Sequence, residues 1–246
     1  MQKLKQIYRS NYAGETVITT LTYKSGNWHP ETDYIENSVT NTYTTGQAIV
    51  IGNGESRLLF DLIHIEQHKG GLFGVNRLQT YGCNALYRDF TPDFLVATGD
   101  GIVDELANSG YCNDHIVYAD GASILKYPGK FYLTPQGIQW DSGALAAYLA
   151  CFDGHKKVFL MGFDGYDVPS KVNNVYKDTN GYLSSSDTQD GTYWTLSLYN
   201  VMSTYSDVEF IRVMPIGSEW CPESIQSLVN FRQISFRDFV FEADIG

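Results

Sequence analysis

The sequence predicts an α/β domain, a mostly parallel β-sheet flanked by helices, with a β-hairpin appended at its N-terminus. Two observations carry the first part. From residue 47 onward, short continuous apolar runs such as AIVIG, DFLVATGD and KVFLMGFD alternate with stretches of helical character. Such runs suit strands buried on both faces, and strands separated by helices run parallel because a right-handed crossover returns the chain to the same edge. The third observation concerns residues 1–46, where that rhythm is missing and Thr, Val, Ile and Tyr dominate.

Taken in order, ETVITTLTYKSGNWHPETDYIE reads as a hairpin, with KSGN as turn chemistry between two extended arms. Residues 1–46 therefore form an arm, packed on the main domain or used as an oligomer contact, and residues 47–246 form the main domain. There, AIVIG is a buried strand and ESRLLFDLIHIEQH a helix ended by Gly70 and Gly71. DFLVATGD is the next strand and GIVDELANSGY a short helix. HIVYAD and GKFYLT follow as strands. DSGALAAYLACFDG is the best helix, small and apolar, with Ser142 as its N-cap and a Gly stop. KVFLMGFD is a strand, residues 168–191 a polar segment, YWTLSLYNVMSTY a helix and VEFIRVMP the closing strand. The tail SIQSLVNFRQISFRDFVFEADIG yields no clear element, and no repeat is evident.

Composition bounds the partners. The chain has 246 residues, 43% of them hydrophobic, enough for a core, and a net charge of −11. An anionic surface repels nucleic acid and anionic lipid as broad partners. A nucleotide can still be held locally, because backbone N–H groups at a helix start need no basic patch. Cys83, Cys112, Cys151 and Cys221 show no zinc spacing and read as reduced, buried thiols. The N-terminus lacks an apolar signal core and no run approaches membrane-spanning length, so a cytoplasmic location is expected.

In a parallel sheet, ligands bind outside the carboxyl ends of the strands. Gly52, Asn53 and Gly54 follow a strand directly; the glycines permit close backbone approach and Asn53 an amide contact. Ser142 and Gly143 open the best helix, and Gly162, Asp164 and Tyr166 end a strand on the same edge. Asn84 follows a possible strand in YGCNALY, and Asp100, at the end of another, suits a ribose or a metal. Singly, each also fits an ordinary turn, cap or loop carboxylate; their shared edge sets them apart. His115 and His155 precede their strands, His64 and His68 lie along a helix leading away, and His29 is in the arm, so no histidine base is evident. The P-loop lysine, a serine nucleophile elbow and an early Asp-x-Asp pair are all missing, and no catalytic metal is indicated.

The ordered blocks VIGNGES, GCNALY and DSGALAAYLA…KVFLMGFDGYD resemble the bacterial sialyltransferases of glycosyltransferase family 42. They also resemble the related DUF115 group, which includes 6-hydroxymethylpterin diphosphokinases of the MptE type. The likeness covers roughly residues 47–167, and the chain is similar in tone to phage-encoded proteins of this kind, which would place it in a host cytoplasm. The resemblance implies a Rossmann-like core, a GT-A variant. Gly52, Asn53, Gly54 and Ser56 would hold the nucleotide and its phosphate, and Asn84 would contact nucleotide or sugar. Ser142 and Gly143 would cradle phosphate or the sugar's carboxylate, with Gly162, Asp164 and Tyr166 completing the pocket. The implied reaction is inverting, metal-independent transfer from a CMP-linked sugar to an unknown acceptor, with no cofactor and tyrosines steadying the departing phosphate.

Three departures stand out. The family's histidine base after the Gly-x-Asp block has no counterpart, so a base would come from Asp167, Asp187 or Asp190. The family's second phosphate-facing tyrosine has only Tyr176 and Tyr182 near its place, at a different spacing. Glu55 replaces a proline and adds a negative charge unless it points away. Two other expectations stand beside the transferase: an ATP- and Mg²⁺-dependent diphosphokinase with Asp100 and Asp164 as ligands, and an inactive nucleotide-binding or scaffold protein, with a homo-oligomer possible for either.

Overall fold

The computed structural model describes residues 2–9, 15–36, 46–70, 78–135, 138–165, 173–182, 191–217 and 220–246. Its strands are β1 (Gln2–Arg9), β2 (Glu15–Lys24), β3 (Asn27–Glu36), β4 (Gln47–Ile51), β5 (Gln79–Cys83) and β6 (Phe94–Val96), then β7 (Ile116–Ala119), β8 (Tyr132–Leu133), β9 (Lys157–Met161), β10 (Glu209–Met214) and β11 (Phe231–Ser235). The helices are α1 (Ile63–Glu66), α2 (Asp100–Ser109), α3 (Gly121–Lys126), α4 (Ser142–Phe152), α5 (Gly191–Thr204), α6 (Glu223–Gln226) and α7 (Phe236–Glu242).

The strands form one sheet in the order β11-β10-β9-β4-β5-β6-β7-β8-β1-β2-β3. All of β4 to β11 pair in parallel. Apart from β7 and β8, which extend the sheet past β6, they follow the 3-2-1-4-5-6 order of doubly wound, Rossmann-like folds. The chain therefore reverses its winding between β4 and β9, and the crevice above that pair is where such sheets bind ligands.

Side chains alternate across the sheet. Ile49, Ile51, Leu95, Val117 and Phe159 face a layer containing α2, α3 and α7, through Ile102, Leu106, Ile124 and Phe239. Ala48, Val50, Phe94, Tyr118 and Leu160 face the layer of α4, α5 and α6. Covering both faces is what makes these strands read as unbroken apolar runs. Helix α4 is buried almost throughout, from Ser142 to Cys151, which explains its Ala-rich sequence. All four cysteines are free. Among the described residues no helix is long and apolar enough to cross a membrane.

The hairpin of β2 and β3 forms as expected, with Lys24 opposite Asn27. Ser25 and Gly26 have φ of 52° and 86°, the paired positive values of a two-residue hairpin turn. Strand β1 was not anticipated. It pairs antiparallel with β2 and meets β8 in parallel through the single pair Ile7–Tyr132, so the arm continues the sheet.

One long helix expected over 55–68 is instead a 3₁₀ turn at Glu55–Leu59 followed by the single-turn α1. Phe60, at φ −116° and ψ 130°, breaks the run. The cause lies in what each side chain needs. Arg57 is buried against Asp89 and Tyr176, whereas Leu58 and Leu59 are exposed, so the apolar residues share no buried helical face. The tail, unassigned from sequence, supplies α6, β11 and α7.

At the amino edge of the sheet, the Tyr81 hydroxyl donates to Asp153 Oδ2 at 2.7 Å, and His155 Nε2 lies 2.8 Å from Gln79 Oε1. All four residues are buried. Replacing Tyr81 by Phe removes a donor from a buried carboxylate and should destabilise the protein by about 1–3 kcal/mol in urea unfolding. Because this network lies at the edge away from the strand-end loops, ligand binding there should stay unchanged.

Candidate functional site

The loops after β4 and β9 cross in contact. Gly52 N donates to Met161 O at 2.8 Å and Gly54 N to Gly162 O at 2.9 Å. A Cβ on Gly52 would lie 2.6 Å from Gly162 O, and one on Gly54 2.6 Å from the Asp164 carboxyl carbon. The close approach these glycines permit is thus used by the chain itself. Asp164 is buried, accepts from Ser56 N at 3.1 Å and from Asn173 Nδ2 at 3.1 Å, and also accepts from the Ser56 hydroxyl. Glu55 N donates to Asn173 Oδ1 at 3.0 Å. The amides of a turn expected to receive an anion are thus engaged within the chain, that of Ser56 by the Asp164 carboxylate.

The start of α4 repeats the pattern. Its N-cap is Asp141 and not Ser142: Asp141 Oδ1 accepts from the amides of Gly143 and Ala144, each at 3.0 Å. The longer Asp side chain reaches back to the first-turn donors and leaves Ser142 as the first helical residue. Asp141 Oδ2 is buried and makes no hydrogen bond. Burial dominates its electrostatics and raises its pKa from an ordinary 3.8 to about 6, against the lowering by its two amide donors and by nearby Ser197.

Asparagine side chains stitch the remaining loops. Asn53 Nδ2 donates to Cys83 O at 3.2 Å and to the Tyr182 hydroxyl at 3.4 Å, leaving Asn53 Oδ1 buried without a partner. Asn84 adopts φ 49°, a left-handed conformation that asparagine enters more readily than most residues. From there Nδ2 donates to Ser142 Oγ at 2.8 Å and Oδ1 accepts from Thr98 N at 2.9 Å, tying β5, β6 and α4 together. Arg212, inside β10, donates to the carbonyls of Phe163, Asp164 and Trp220 at 2.7–2.9 Å, supporting the β9 loop from beneath.

Above this floor lies a cavity of about 570 Å³. Gly52, Asn53, Gly54, Asn84, Ser142, Gly143, Gly162 and Asp164, the residues singled out from sequence, all line it. Ser56 does not; it sits behind Asp164. Trp140, Phe163, Tyr182, Tyr193 and Trp194 supply aromatic walls, and Thr98, Asp141 and Asn174 further polar groups. None of these aromatic residues had a sequence signal beyond the high aromatic content, except Tyr182. Arg212 and Asp141 could have been found: one is a charge inside an apolar strand, the other an Asp before a strong helix.

Tyr182 lines the cavity and Tyr176 does not. Tyr176 instead donates to Asp89 and accepts from Arg57 at 2.7 Å. Glu55 points away from the cavity and pairs with Lys177 at 2.6 Å. Asp100, at the exposed start of α2, does not join Asp164 in the cavity wall. Tyr166, Asp167, Asp187 and Asp190 lie outside the described residues. His115 and His155 precede β7 and β9 at the opposite edge, and none of the five histidines lines the cavity. Among the described residues no group of three His, Cys, Asp or Glu side chains is arranged to hold a metal ion.

Compared with family models, curated proteins and solved structures, the chain matches none.

Two outcomes follow. Gly54→Ala should destabilise by about 1–3 kcal/mol in urea unfolding, because Asp164 and a backbone carbonyl must both move. Asp141→Asn keeps an N-cap but removes the buried charge. The folded pKa of Asp141 lies above its unfolded value, so the wild type is free of the penalty below pH 3.8 and bears all of it above about 6. The variant should be as stable as wild type at pH 3.5 and more stable by about 2–3 kcal/mol at pH 8.

Proposed function

We propose that this protein is a nucleotide-sugar-dependent transferase that holds a CMP-linked donor in the cavity at the carboxyl edge of the sheet. The observation that carries this reading is the convergence of the β4, β5, β6 and β9 loops and the α4 start on one aromatic-walled, amide-rich hollow. Such a hollow suits a base and a sugar, which stack on aromatic faces and exchange hydrogen bonds with amide side chains. In the reaction, an acceptor hydroxyl oxygen attacks the anomeric carbon from the face opposite the nucleotide. The bond from that carbon to the phosphate oxygen breaks, its electron pair stays on the phosphate, and the hydroxyl proton passes to a base.

Tyr182 fits the phosphate-facing tyrosine of this scheme. Its oxygen accepts from Asn53, which leaves its own proton to give. Burial raises its pKa to about 12, so it stays a phenol and a donor throughout the physiological range. CMP should raise the melting temperature, and CMP-sialic acid should be hydrolysed slowly in the absence of acceptor, equally well in EDTA. Tyr182→Phe should retain CMP binding and lower donor turnover by about 100-fold, the usual effect of removing one donor to developing negative charge. Failure to turn over any activated sugar would defeat the proposal.

The filled anion cradles at Ser56 and Gly143 favour a second reading, a binding protein that keeps the hollow without the chemistry. Nucleotide stabilisation without turnover would select it.

A further inference from the structure

If the cavity takes a phosphate-bearing ligand, its charges present a difficulty. Among the described residues, the charged side chains in its wall are Asp141, Asp164 and Arg212, two carboxylates against one guanidinium. Asp164 is hydrogen-bonded to Ser56 and Asn173, and Arg212 is engaged by loop carbonyls. Asp141 differs from both. One oxygen caps α4, and the other is shut away from solvent with no hydrogen bond, in the wall an anion must approach.

We propose that Asp141 is the proton-binding partner of the cavity's anionic ligand, taking up a proton as the ligand enters and losing it as the ligand leaves. The inference rests on the cavity's binding a nucleotide and adds how that binding is regulated. A second negative charge brought close to a buried carboxylate disfavours its ionised form, and the side chain answers by protonating. Its position makes this the route of least rearrangement. Protonation leaves the cap on Oδ1 intact and, among the described residues, brings the wall to one carboxylate against one guanidinium.

Among the described residues, the groups facing Asp141 bring no cation to neutralise it. From α5 come the Ser197 hydroxyl and Tyr193, and from β5 the Cys83 thiol, whose own pKa is pushed to about 12 by burial and by Asp141 itself. The segment carrying Tyr182 brings a phenol. The first turn of α4 holds no acidic residue, and its last turn no basic one. Asp164 and Arg212 complete the charged wall. Burial raises the carboxyl's pKa to about 6, and a nearby ligand anion would raise it further, toward the neutral range.

The test is calorimetric titration of the full-length protein with CMP at pH 5.5, 6.5 and 8.0, in pairs of buffers of different ionisation enthalpy. Wild type is compared with Asp141→Asn, and with Asp141→Ser as a second variant that retains a capping oxygen. The phosphate of CMP titrates in all three proteins, so the difference between them belongs to Asp141. Wild type should take up more protons than either variant at pH 6.5, and should lose about tenfold more affinity than they do between pH 5.5 and 8.0. At pH 8.0 the variants should bind CMP more tightly than wild type. Equal uptake and equal pH dependence in all three would overturn the linkage while leaving nucleotide binding intact. No binding heat from any of them at any pH would overturn the nucleotide reading, and the linkage with it.

Discussion

The carboxylate of Asp164, held under the crossing of the β4 and β9 loops, is the interaction on which the rest of the binding edge depends. A doubly wound sheet opens a crevice where its winding reverses, and the backbone amides around that crevice attract an anion. Here the chain supplies the anion itself. Gly52, Gly54 and Gly162 bring the two loops into contact, and Asp164 collects Ser56 and Asn173 around one charge. Arg212 fixes the same loop from below through its carbonyls. With these loops locked together, they form one wall of the hollow, which extends from the crevice over β5, β6 and the start of α4.

That locking decides the chemistry of the hollow. The strongest anion sites of the fold are occupied by Asp164 and Asp141, so the hollow offers aromatic faces, asparagine amides and hydroxyls. These groups recognise neutral polar surface, and an anion entering among them meets one unneutralised carboxylate. Burying that carboxylate with two amide donors but no counter-charge lowers stability, and such penalties persist where they serve a site. Tyr182 is arranged to the opposite end. Its oxygen accepts from Asn53, which leaves the phenol proton as a hydrogen-bond donor.

Much of this fold was legible because burial on both faces turns strands β4, β6, β7, β9 and β10 into short apolar runs with glycine or aspartate at their ends. The hairpin declared itself through Ser25 and Gly26. Where local pattern and tertiary need diverged, reading failed. Residues 55–68 carry enough apolar side chains for a helix, yet the buried member is Arg57, drawn inward by Asp89 and Tyr176, partners 32 and 119 residues away in sequence. Strands β1 and β11 lie near or at the rim of the sheet and are too polar to announce themselves. At the site, glycine, asparagine and serine directly after strands marked the right edge, because ligands of a parallel sheet bind at the carboxyl ends of its strands. Which carboxylate would fill the glycine turn could not be read, because Asp164 and Ser56 meet across 108 residues; the Asp141 cap of α4, two residues from its first donor, is local and was legible.

The central claim is that the strand-end loops form one floor that a nucleotide covers. Amide hydrogen exchange with and without saturating CMP tests it most directly. Exchange should slow together at residues 52–54, 83–84, 98–99 and 142–144, while residues 15–36 of the hairpin stay as they were. Unchanged exchange across those four segments, or protection confined to the hairpin, would contradict it.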